Sequence, residues 1–116
     1  MAIHFFTPGP RSLLNKFDTK TAQVENKGKI DTWEKLPDGL HYTHTSQQWR
    51  QKAFFKPQLQ NDRLTFYIIK PQNTNITSVV YGYYHGHLLE TFLVHFDRDF
   101  STGAASALPE SEDVCS

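Results

Sequence analysis

The chain reads as an α+β protein: a single domain in which an antiparallel meander sheet of four to five strands carries a C-terminal helix packed across one face. Three observations predict this. Leu88, Leu89, Phe92, Leu93, Phe96 and Phe100 recur with the 3.6-residue period of one helical stripe, and the runs Leu88-Leu89 and Phe92-Leu93-Val94 break the alternation a strand would need. Residues 52–59 and 64–70 flank Gln60-Asn61-Asp62-Arg63, whose Asn and Asp tolerate the backbone of a tight hairpin turn. Residues 30–36 and 40–45 flank Leu36-Pro37-Asp38-Gly39, where Pro presets φ at the second turn position.

Taken in order, residues 1–29 read as a loop-rich segment. Thr7-Pro8-Gly9-Pro10 interrupts regular structure, and a short helix fits at 12–17 with Leu13, Leu14 and Phe17 on one side. Residues 30–102 form the sheet-plus-helix domain. In the 52–70 hairpin, setting Leu59 opposite Leu64 pairs Pro57 with Phe66 and Phe55 with Ile68, which collects six apolar residues on one face. Residues 78–84 read as the last strand, with His85-Gly86 turning the chain into the helix. The expected core is Phe55, Leu59, Leu64, Phe66 and Ile68 against Leu88, Leu89, Phe92, Leu93 and Phe96. Residues 103–116 are small, polar and acidic and read as a disordered tail.

Composition limits the function classes. Twelve Lys+Arg balance twelve Asp+Glu, so no whole-protein field favours nucleic acid or an anionic membrane. The tail holds Glu110, Glu112 and Asp113 and no basic residue, which leaves residues 1–102 at +3 (12 minus 9). One cysteine, Cys115, allows neither an intramolecular disulfide nor a Cys-based metal knuckle. Ile3-His4-Phe5-Phe6 is too short for a signal-peptide core, and no apolar run approaches the roughly 20 residues that span a bilayer. These features read as a soluble, cytoplasmic protein with no membrane partner.

The candidate site lies where strand is expected to give way to helix. Backbone N–H groups are unpaired at a helix start and attract anions. Gly86 would let a ligand approach the backbone, Tyr84 would wall the spot, and His85, His87 and Glu90 would supply polar contacts. Tyr84, His85, Gly86, His87 and Glu90 are therefore the expected ligand-binding residues. His87 and Glu90 have imidazole–carboxylate metal-ligand spacing, but His87 and His95 would stand about 12 Å apart on a helix. A third ligand would have to come from His85, His41 or His44, so no metal or cofactor is assigned. Asp97 and Asp99 beside His95 offer a second acid–base set. No nucleophile elbow and no Gly-rich phosphate cradle occurs. Trp49, Arg50, Lys52, Lys56, Tyr67 and Lys70 offer an aromatic, basic sheet face of the kind that stacks single-stranded nucleic acid, against which the neutral charge weighs.

The resulting expectation is a non-enzymatic binding or protein-interaction module, using a sheet edge to take a peptide strand or a second copy. The alternatives are a small enzyme with a histidine-based site at 85–90, with or without a metal, and a single-stranded nucleic-acid binder.

Overall fold

The structure is a computed structural model that describes residues 2–116. Eight elements follow in order: β1 (Ile3–Phe6), α1 (Pro10–Ala22), β2 (Trp33–Lys35), β3 (Tyr42–His44), β4 (Phe54–Leu59), β5 (Arg63–Ile69), α2 (Ser78–Phe96) and β6 (Thr102–Ala105). The strands form one antiparallel sheet in the order β2-β3-β4-β5-β1-β6. The α+β class agrees with the sequence. The strand count is six, not four to five, because one expected strand is helical and two strands were unforeseen.

The β4–β5 hairpin has the expected register, with Leu59 opposite Leu64, Pro57 opposite Phe66 and Phe55 opposite Ile68. Alternation decides it: a one-residue slip would turn Phe55 and Phe66, both fully buried, to the other face.

The largest correction concerns residues 78–84, which form the first two turns of α2. The Thr77 side chain caps the helix by accepting the Val80 N–H at 3.2 Å. Val and Tyr favour strands, but Tyr81, Tyr84, His85, Leu88 and Phe92 continue one buried stripe at helical spacing. Burial of that stripe overrides local propensity.

The N-terminal segment is also more ordered than a loop. Ile3 and Phe5 are fully buried in β1, which inserts between β5 and β6. Four residues before a Pro-rich break show too few periods to be read from sequence. Pro10 opens α1, where its missing N–H would be unpaired anyway, and Leu13 and Phe17 bury one face at i, i+4 spacing. Asp18 of α1 accepts from the Tyr42 hydroxyl and pairs with Lys35 at 3.2 Å, which fastens this helix to β2 and β3.

The sheet closes on α2 from both ends. On one side Trp33 Nε1–H donates to Thr91 Oγ1 at 3.0 Å. On the other, a Cβ added at Gly103 of β6 would lie 2.6 Å from Leu89 Cδ1, and the Tyr81 hydroxyl donates to the Ser106 carbonyl. The aromatic core between them includes Phe5 stacked on Phe92 at 4.1 Å and Phe17 against Phe66 and Phe92. Stacked and edge-on rings of this kind add to the area they bury. Leu93, expected in this core, is 51% exposed. Its place is taken by Tyr81, Tyr84 and His85, which the helix gains by starting earlier.

The acidic tail is docked, not disordered. Beyond Ile3 the edge of β5 is open, and Val114 occupies it: its N–H donates to Ile68 O and its carbonyl accepts the Lys70 N–H. Asp113 Oδ1 accepts the Ile68 N–H, and Glu110 pairs with His4 at 2.9 Å. Acids acting as hydrogen-bond acceptors do this work, so hydrophobic patterning gives no sign of it.

Candidate functional site

The earlier start of α2 changes the surroundings of every expected site residue. Residues 85–87 lie in the middle of the helix, where their N–H groups belong to its own hydrogen-bond ladder. The N–H groups outside that ladder are at Ser78 to Val80, and the Thr77 side chain accepts the one from Val80. The reasoning from a helix start therefore does not apply at 85–87.

The five residues divide between two faces. Tyr84 and His85 point inward and are buried. The Tyr84 hydroxyl donates to the Trp49 carbonyl and lies 3.2 Å from Thr43 Oγ1. His85 Nδ1–H donates to the Tyr81 carbonyl at 2.9 Å, and the two rings stack at 3.7 Å. His87 is half-buried at the boundary, with its Nδ1 2.6 Å from Nε2 of buried His44 and its Nε2 3.6 Å from Glu90 Oε1. Burial, then the charge of His87, holds His44 down at about 4. His44 is thus neutral at pH 7 and its ring serves as a hydrogen-bond link. Trp49 and Tyr83 cover this link as a parallel stack at 4.0 Å.

Gly86 and Glu90 point outward. They sit on a face of α2 that also carries Val79 at 70% exposure, Gly82, Leu93 at 51% and Val94 at 69%. Glu90 is the only Asp, Glu, Lys or Arg in the 19 residues of this helix. A helix packed on a sheet ordinarily turns charged residues to solvent. Val79, Gly82, Gly86, Leu89 and Leu93 are spaced three, four, three and four, a heptad seam of which Val79, Gly82, Gly86 and Leu93 face solvent and Leu89 is half-buried at the border with β6. Sequence reasoning missed this seam because its first half was assigned to a strand. The spacing itself is present in the sequence and readable once 78–84 is known to be helical.

The remaining candidates separate. Among the described residues no group of three or more His, Cys, Asp or Glu is placed to hold a metal ion. His41 pairs with Asp38 at 2.7 Å. Trp49 packs on α2 while Tyr67, on β5, lies near the charges of Glu110, Glu112 and Asp113, which push its phenol up after burial does. Trp49 and Tyr67 therefore do not form one basic stacking surface. Asp99 pairs with Lys16 at 2.7 Å. No helix among the described residues is long and apolar enough to cross a membrane.

No protein-family model, no curated protein and no solved structure matches the chain.

Proposed function

We propose that this protein is a non-enzymatic protein-interaction module whose partner is a second copy of the same chain, packed across the outer seam of α2. The observation that carries the reading is the exposure of Val79, Leu93 and Val94 on a helix face with a single charged residue.

The seam is complementary to itself. Val79 and Leu93 each lie seven residues from Gly86. An antiparallel crossing centred on Gly86 sets Val79 of one copy against Leu93 of the other, and glycine against glycine. A two-fold interface uses one patch twice in this way. Glycine within a helix costs about 1 kcal/mol relative to alanine. Nothing lies within 4 Å of a Cβ built at Gly82 or Gly86, so packing within the chain does not require either glycine. Close approach of a second helix backbone gives both a reason. The formal net charge of zero means that two copies meet without long-range repulsion.

A second reading uses the sheet edge. β6 lies beside α2 and presents Thr102, Ala104 and Ala105 to solvent, with no charge or proline to block pairing. An extended peptide strand would add there, with Gly103 and Ala105 offering the outward backbone groups.

Sedimentation velocity over a range of concentrations tests the first reading. The parent protein should form a dimer, Leu93→Glu should be monomeric with an unchanged circular dichroism spectrum, and Gly86→Ala should dimerise less well although its monomer gains helix propensity. A parent protein that stays monomeric up to its solubility limit overturns the reading. Dimers insensitive to both substitutions but lost in Ala105→Pro would instead favour the edge.

A further inference from the structure

Away from the seam, α1 and the C-terminal turn of α2 enclose an open groove of about 730 Å³. That volume is within the range of small-molecule sites, and grooves between helices are a common place for them. Arg11, Lys16 and Lys20 come from one side of α1, and His95, Phe96 and Asp99 from the end of α2 and the turn after it. Lys16 and Lys20 are one helical turn apart, a spacing at which like charges repel by a few tenths of a kcal/mol. Asp99 offsets Lys16 at 2.7 Å, whereas Arg11 and Lys20 show no ion pair among the described residues, Lys20 Nζ donating only to the Gly28 carbonyl at 3.4 Å. The lining carboxylate and the three cations sum to +2.

We propose that this groove binds a small organic phosphate, with the phosphate held by the Lys16–Lys20 side of α1 and steered by Arg11, and the organic group lying against the half-buried His95 ring and the lysine stems. Charge selects the class. A phosphate monoester carries about −1.5 to −2 at pH 7 and so matches the surplus, while a monocarboxylate would leave one cation uncompensated. The accessible apolar lining selects an ester over the free ion: Phe96 is only 1% exposed, but the lysine stems and the half-buried His95 ring leave surface that inorganic phosphate cannot cover.

His95 reports on occupancy. Burial, then the charge of Lys20, holds its imidazole below the ordinary value. A phosphate beside Lys20 reverses the local field and should raise it. The groove shares no residue with the seam of α2, so the site does not depend on self-association.

The test is an NMR titration of the full chain with phenyl phosphate, with inorganic phosphate and benzoate as separate arms at matched ionic strength. The expected result is saturable shifts confined to amides of residues 11–20 and 95–99, with the His95 titration midpoint moved up and that of His41 unmoved. Arg11→Gln/Lys20→Gln should weaken phenyl phosphate at least tenfold while preserving the parent's amide dispersion. Equal binding of inorganic phosphate would overturn the ester assignment, and benzoate binding as tightly as phenyl phosphate would overturn the phosphate assignment. Shifts that do not saturate, or that persist unchanged in the double variant, would overturn the site.

Discussion

The proton between His44 and His87 belongs to His44. The Ser46 N–H donates to His44 Nδ1 at 3.0 Å, so that nitrogen is an acceptor and the neutral ring carries its hydrogen on Nε2. Nε2–H donates to His87 Nδ1 at 2.6 Å, which places the His87 hydrogen on Nε2, facing Glu90. A further proton on either Nδ1 removes an acceptor that this chain of contacts uses. The link joins β3 to the middle of α2, so its protonation bears on how the sheet grips the helix.

Stability should therefore fall in acid through His44. Its folded value of about 4 lies below the ordinary 6.5. The unfolded chain binds the proton first, so stability is full above about pH 6.5, declines as pH falls and levels off below about 4, with a total loss of about 3 kcal/mol. Urea denaturation at pH values from 7.5 to 4 measures this. His44→Gln should be less stable at pH 7.5 but show a flatter decline. An equally steep decline in the variant would assign the effect to other groups.

Within α2, position relative to the sheet should decide the cost of a truncation. Phe92 is fully buried between Phe5, Phe17 and Phe66, so Phe92→Ala should cost about 3–5 kcal/mol. Leu93, its neighbour, should cost less than about 1 kcal/mol in the monomer, measured at concentrations too low for association. Equal losses would mean that the helix is rotated from the orientation described.

These two residues also mark what the sequence could convey. The 3.6-residue stripe at 88–100 announced a helix, and Phe92 was placed in the core on that basis. Leu93 shares the stripe's edge, and hydropathy alone does not separate a core leucine from an exposed one. The β4–β5 register was legible because Phe55, Phe66 and Ile68 alternate over enough residues to fix one face. β1 and β6 were not, since each is four residues long and is stabilised by neighbours far away in the chain. Of the site, Gly86 and Glu90 were singled out for a helix start and are exposed in mid-helix instead. The cationic side of α1 was hidden because residues 1–29 were read mainly as loop.

Gly103 should resist enlargement. Its missing Cβ is the reason α2 can lie against β6, with Leu89 Cδ1 at 2.6 Å and two Phe5 ring carbons at 3.3 Å from the position a Cβ would take. Leu89 can rotate away from a methyl group, but the Phe5 ring is locked under Phe92 and Phe100. Gly103→Val should then cost about 1–3 kcal/mol by overpacking. A thermal midpoint equal to the parent's would show that β6 separates from α2 at little cost.

Removing residues 107–116 should destabilise the fold, although the segment contributes little buried apolar area. Val114 and Cys115 together make three backbone hydrogen bonds, to Ile68, Lys70 and Ile76, and Asp113 makes another to the Ile68 N–H. Each such bond contributes about 1 kcal/mol net, because water competes for the same groups. The entropy of ordering the segment opposes this gain. The balance leaves an expected loss of about 1–3 kcal/mol, visible as a lower urea midpoint. Hydrogen exchange locates the effect: the amides of Lys70 and Ile76 should be protected in the full chain and exchange freely after truncation, while Phe66 in the centre of the sheet stays protected. An unchanged midpoint, together with fast exchange at Lys70 and Ile76 in the full chain, would mean that the tail does not hold β5.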